Sequence, residues 1–200
     1  MKRILLSVLL LSILLLAACG GGAPADSYAP GNLGTQSYDS DWLSIVFTPG
    51  ADMVLSTREE MNELMNLTAE QLKADGAIAD VSAIATVYEM MATNILDNSN
   101  VIVMAEKLAY ENLSEDQYIT ALKEQFAATG FTFTYEEVTE TVLAGETYKN
   151  LSYRMEMNGV SVCQTMLIRK IGDRMAALSF TYPDTASRDA LYACFTPKNP

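Results

Sequence analysis

Histidine is absent from all 200 residues. Its absence removes Ser-His-Asp and Cys-His arrangements, a histidine general base and any histidine-ligated zinc. Cysteine is almost as scarce, with only Cys19, Cys163 and Cys194. Basic residues are few: 13 Lys and Arg stand against 25 Asp and Glu, for a formal charge of −12. A chain this acidic is repelled by nucleic acid and by anionic lipid head groups, so neither is expected as a partner of the folded part. The apolar stretch Ile4 to Leu16 is interrupted by Ser7 and Ser12 and soon meets Gly20-Gly21-Gly22. It falls short of the roughly 20 residues that a membrane-spanning helix needs. Beyond Cys19 there is no G-x-S-x-G, no phosphate-binding loop and no Ser-x-x-Lys. No internal repeat is visible.

What is present begins with a junction. Lys2 and Arg3, the apolar stretch and Leu16-Ala17-Ala18-Cys19 make the three parts of a bacterial lipoprotein signal peptide, residues 1–18, ending in a lipobox. Ala17 and Ala18 fit a peptidase cleft, and the Cys19 thiolate can become a thioether to diacylglycerol. Two or three acyl chains, palmitate among them, would anchor the chain stably where one would not. The alternative is an ordinary secretory peptide with an incidental cysteine; the spacing and position of the motif favour lipid attachment at Cys19. Loss of Lys2 and Arg3 with the signal peptide would take the formal charge from −12 to −14. Residues 19–37, rich in Gly and Pro and without apolar periodicity, read as a flexible tether. At roughly 5–6 Å × √n it would let the domain float some 20–25 Å from its anchor. Residues 38–200 are long enough for a single globular domain with its own core.

Within that domain, Trp42 to Phe47 alternates as a strand, Pro49-Gly50 turns, and Met53-Val54-Leu55 is a second short strand. Thr57 to Glu60 is a capping box that opens a helix carrying Met61, Leu64, Met65 and Leu72, with Gly76 as its stop. Strands are expected over Ile84–Thr93 and Val101–Lys107, joined by Asp97-Asn98-Ser99-Asn100. Ser114 caps a helix with Gln117 in the box position and Tyr118, Leu122 and Phe126 as its buried stripe, ending at Gly130. Phe131 to Tyr135 alternates again. Asn158-Gly159 is a two-residue hairpin turn, which sets Met157 opposite Val160, Met155 opposite Val162 and Leu151 opposite Met166. Gly172-Asp173 sets Leu167 opposite Leu178 and Thr165 opposite Phe180. The two pairings put apolar residues on opposite faces, so both faces of the sheet should be covered. A last helix starts at Asp184 or Thr185, with Leu191, Cys194 and Phe195 on one stripe.

This order of elements, with the phrases Trp42 to Pro49 and Tyr148 to Arg169, resembles small bacterial lipoproteins with a PsbP-like domain. Over about residues 40 to 196 the resemblance implies an α+β fold, an antiparallel β-sheet sandwiched between helices. It carries no catalytic motif. PsbP-like domains serve as accessory or binding modules, which leans the expectation toward binding.

Arg169, Lys170 and Arg174 cluster at the Gly172-Asp173 tip and could hold an anionic ligand or an acidic partner surface. The plainer reading is a charged tip that blocks edge pairing. Asp97 to Asn100 and Asp39-Ser40-Asp41 offer oxygens suited to calcium but lack the Gly and distal Glu of a twelve-residue loop, so no metal site is expected. Carboxylate pairs such as Glu59-Glu60 and Glu136-Glu137 leave a two-carboxylate hydrolase as the only enzymatic reading. The methionines Met61, Met65, Met90, Met91, Met155, Met157 and Met166 read as core rather than as an adaptable groove. A Cys163–Cys194 disulfide is less favoured than two free buried thiols, because a helix running back from Pro183 carries Cys194 away from Cys163. The expected function is that of a lipid-anchored, extracytoplasmic binding or accessory domain, non-enzymatic and without cofactor. Its membrane contact is the acylated cysteine, and a protein partner at the cell surface is expected. The alternative is a small-ligand-binding lipoprotein serving a transporter or sensor.

Overall fold

The computed structural model describes residues 28–63, 86–108, 110, 112–129, 131–157 and 160–199. Its centre is an antiparallel sheet of eight strands, built around a meander of β9 (Glu146–Met157), β10 (Val160–Ile171) and β11 (Arg174–Tyr182). The register is the one that the two turns dictate: Met155 faces Val162, Leu151 faces Met166, Leu167 faces Leu178 and Thr165 faces Phe180. Beyond β11 lie β6 (Asn100–Lys107), β5 (Thr86–Asn94) and β4 (Met53–Leu55). On the other side, β7 (Thr132–Tyr135) and β8 (Thr139–Leu143) share the free edge of β9 end to end.

Because successive side chains point to opposite faces, this sheet has two cores. One holds Ile102, Met104, Leu151, Met155, Met166 and Ile168 and is covered by α1 (Glu115–Ala128), which contributes Tyr118, Ile119, Leu122 and Phe126. The cover starts where the sequence says it should. The Ser114 hydroxyl accepts from the Gln117 N–H and the Gln117 side chain accepts from the Ser114 N–H, with Glu115 and Asp116 in the first turn favoured by the helix dipole. The other core holds Val101, Val103, Leu167, Leu178 and Phe180. Over it lie α2 (Thr185–Tyr192) and a small sheet of β1 (Asn32–Leu33), β2 (Tyr38–Ser40), β3 (Ile45–Phe47) and β12 (Phe195–Pro197). The architecture is α+β, with both faces covered as the register requires, and the second cover is largely a sheet. Met61, Met90, Met155 and Met166 are core residues.

Four local expectations change. Trp42 lies in a turn rather than in the strand, because the Ser40 hydroxyl accepts from the Leu43 N–H and the Ser44 N–H reaches the Asp41 carbonyl, with Ser44 at φ 60°. The strand therefore starts at Ile45. The last helix stops at Tyr192, and Phe195 is not on its stripe but pairs with Phe47 as a strand. Residues 28–37, read as part of the tether, pack on the domain: Asn32–Leu33 pairs with Tyr38–Asp39, and Tyr28 and Gly31 reach Glu89. Cys163 and Cys194 are free and half-buried rather than buried, the Cys194 thiol lying 3.7 Å from the Met53 sulfur. The readings at Leu64, Met65, Leu72, Gly76, Gly130 and Asn158-Gly159, like the side chain of Met157, lie outside the described residues. Among the described residues no helix is long and apolar enough to cross a membrane.

Candidate functional site

Among the described residues, one heavily constructed polar site centres on Glu89, which is 1% exposed in the otherwise apolar run Val87 to Met91. Tyr88 pairs with Met104 and Met90 with Val103, so Glu89 is the one extra residue of a β-bulge in β5. A bulge places two successive residues toward one face. Met90 belongs to the core under the small sheet, and Glu89 is delivered to that same side, beneath the N-terminal arm. A carboxylate buried there is tolerated only if its oxygens are satisfied. Three donors do so: the Tyr28 hydroxyl, the Gly31 N–H at 2.7 Å and the Tyr38 hydroxyl at 3.4 Å.

The arm is shaped to reach it. A Cβ on Gly31 would stand 2.4 Å from the Tyr38 ring, so only glycine lets the backbone N–H approach. Gly34 N–H then closes a turn on the Ser37 carbonyl at 2.9 Å and returns the chain into β2. The Tyr28 ring meets Trp42 edge-on, with centroids 5.0 Å apart. The Arg174 guanidinium lies 3.9 Å from the Tyr28 ring centroid, a cation–π contact. Burial, then the hydrogen bond to Glu89 and its charge, pushes the Tyr28 hydroxyl pKa well up, outweighing the opposing pull of Arg174 and Arg58. Burial and the Glu89 charge push Tyr38 up in the same way. Both phenols therefore stay protonated as donors at neutral pH. Chemically, the site clasps a segment of its own chain.

The residues singled out from the sequence are distributed as follows. Arg169 pairs with Glu146 at 2.8 Å and lies over Tyr148. Lys170 is its neighbour in the strand and so points to the other face; its backbone N–H donates to Glu115 at 2.9 Å. Arg174 covers Tyr28. The three basic residues thus share one end of the sheet without converging on one point. Cys19 lies outside the described residues. Asp97 accepts from the Ser99 N–H and the Ser187 hydroxyl, and these bonds, against the effect of burial, hold its carboxyl below the ordinary range. Asp39 and Asp41 both bind Lys198, at 2.5 and 2.8 Å. Asp97, Asp39 and Asp41 thus each have at least one carboxylate oxygen engaged by the protein. Among the described residues no three Cys, Asp or Glu side chains come together as a metal site. The Glu89 clasp was not anticipated; its one trace in the sequence is a lone carboxylate inside an apolar strand.

No protein-family model matches the chain, and no curated protein does. Among solved structures it is similar to the cyanobacterial PsbP (CyanoP) of Synechocystis, at 10% identity and a TM-score of 0.49, over 88% of this chain and 98% of that one. It is also similar to a protein of Bacteroides thetaiotaomicron, at 11% identity and a TM-score of 0.43, over 81% of this chain and 48% of that one. A third is LpqN of Mycobacterium tuberculosis, involved in cell envelope biogenesis, at 9% identity and a TM-score of 0.37, over 56% of this chain and 78% of that one. PsbP, the family resembled by the sequence, thus stands among the structural neighbours. No functional argument is drawn from likenesses this distant.

Proposed function

We propose that the protein is a lipoprotein, acylated at Cys19 and held on the extracytoplasmic face of a cell membrane. Its folded domain is a non-enzymatic binding or accessory module whose partner is another protein at that surface. The observation that carries this reading is the run from Lys2 to Cys19: a basic start, a short apolar stretch and Leu16-Ala17-Ala18-Cys19. An apolar segment too short to span is removed, and lipid takes its place as the anchor. The Glu89 site does not itself argue for catalysis, since its carboxylate accepts from the chain's own arm.

The test is to express the full chain and its Cys19→Ala variant in bacteria fed a clickable palmitate analogue. The native chain should take up label and float with membranes, resisting high salt and alkaline carbonate. The variant should lose the label entirely, whether it is released or retained as uncleaved precursor. A labelled variant would refute the proposal.

A further inference from the structure

We propose that the seat around Glu89 is a recognition site for an extended peptide segment with a tyrosine three residues ahead of a glycine, which the chain's own arm holds closed. The ligand is such a segment of the protein partner; that assignment rests on the partner reading above, while the site itself does not. The seat is built independently of the arm, and each of its residues is placed by a bond outside residues 28–33. Glu89 is set by the bulge between Tyr88, paired with Met104, and Met90, paired with Val103. Tyr38 pairs with Phe47 and is 0% exposed. Trp42 sits in the turn that the Ser40 hydroxyl closes on the Leu43 N–H. Arg58 donates to the Tyr88 carbonyl at 2.9 Å, next to Glu89 in the chain, and Arg174 is held in β11 opposite Lys107.

The arm holds on lightly by comparison. Ala29, Pro30 and Asn32 are exposed, and only Tyr28, Gly31 and Leu33 turn inward. Its strand is two residues long. A segment with so little buried surface opens far more readily than the domain unfolds. When it lifts, it leaves a carboxylate with Trp42 and two guanidinium groups beside it.

What the seat selects is shown by what it holds. The Glu89 carboxylate takes a phenol hydroxyl and a backbone N–H. Trp42 meets the phenol ring edge-on, and Arg174 lies over its face. Three residues on, a Cβ would stand 2.4 Å from the buried Tyr38 ring, so only glycine brings its N–H to the carboxylate. Ring, hydroxyl and missing side chain are each read by a different residue. An arm kept for stability alone would be served better by apolar contacts, because the desolvation of a buried charge offsets most of what its bonds contribute. The charge gives selectivity instead: a segment without the hydroxyl or the glycine leaves the carboxylate short of a donor.

The experiment uses the purified full chain in mild detergent and a synthetic peptide of residues 28–36, acetylated at its N-terminus and carrying a dye at its C-terminus. Gly31→Ala in the chain drives a methyl group against the Tyr38 ring and lifts the arm without altering a seat residue. Tyr28→Ala, which removes the arm's ring and hydroxyl, is the second opened form should the first fold poorly, and the unfolding midpoint of each is checked. Fluorescence anisotropy should show an opened chain binding the native peptide about tenfold or more tightly than the native chain does, since the competing arm is out of the way. Adding Glu89→Ala to the opened chain should abolish binding. A Tyr28→Phe peptide should bind about tenfold or more weakly, and a Gly31→Ala peptide not at all. No binding by either opened chain, equal binding by native and opened chains, or binding indifferent to Glu89→Ala or to the peptide changes overturns the site. A native chain that sediments as a dimer and becomes monomeric on Gly31→Ala would make a second copy the occupant and overturn the assignment to a partner. The lipid label at Cys19 is read separately, so either proposal can fall alone.

Discussion

Replacing Glu89 with alanine should lower stability by about 2–4 kcal/mol and release the N-terminal arm. The carboxylate is the shared acceptor of the Tyr28 hydroxyl, the Gly31 N–H and the Tyr38 hydroxyl. Hydrogen bonds to a charged group contribute about 1.5–3 kcal/mol each, and a buried donor left without an acceptor costs about 1–3 kcal/mol. The losses are not additive here. Tyr28 and Gly31 lie on the arm and regain water once it lifts, which also uncovers the edge of the Tyr38 ring that Gly31 packs against. At about 2–4 °C per kcal/mol, the thermal midpoint should fall by roughly 5–15 °C. Limited proteolysis should cut between Tyr28 and Ser37 in the variant well before it cuts the domain. Glu89→Gln keeps a carbonyl acceptor and should fall between the two. An alanine variant with an unchanged midpoint and a protected arm would mean that β1 and Leu33 hold the arm without the clasp.

Phe180→Ala should cost about 3–5 kcal/mol, the range for a fully buried phenylalanine. Phe180 is 0% exposed, at the centre of β11, opposite Thr165 and Val101. Its ring meets Tyr192 of α2 at 4.7 Å and Phe195 of β12 at 5.8 Å, both T-shaped. Those edge-to-face contacts add about 0.5–1.5 kcal/mol each beyond area burial. The cavity would open under the C-terminal cover alone. Amide exchange should therefore speed up in residues 185–197 while α1, on the opposite face, keeps its protection. Uniform acceleration through α1 would show that the two cores do not respond separately.

How far the sequence foretold all this depends on how local each cause is. The meander was legible because Gly172 takes φ 63° at the turn and the strands alternate regularly on either side. Helix α1 was legible because Ser114 and Gln117 cap each other and Tyr118, Leu122 and Phe126 recur at helical spacing. Strand β8 was missed because its turn is Ala144-Gly145, with φ 51° and 82°. Alanine at positive φ is unusual, so the pair does not advertise a hairpin as Asn-Gly does. Strands β1 and β12 are two and three residues long, too short for any periodicity, and exist only because tertiary partners wait for them. The clasp is less local still. Glu89 and Tyr28 are 61 residues apart and meet through a bulge and an arm turn that their own neighbours do not specify. The proposed lipid attachment is read wholly from the sequence, from Lys2 to Cys19.

The central claim is that this domain hangs from a lipidated cysteine at position 19. The most direct measurement is the mass of the N-terminal peptide of the full chain recovered from bacterial membranes. The account predicts a peptide that begins at Cys19 and carries a diacylglyceryl thioether. A peptide that begins at Met1, or at an unmodified residue after any cleavage, would contradict it.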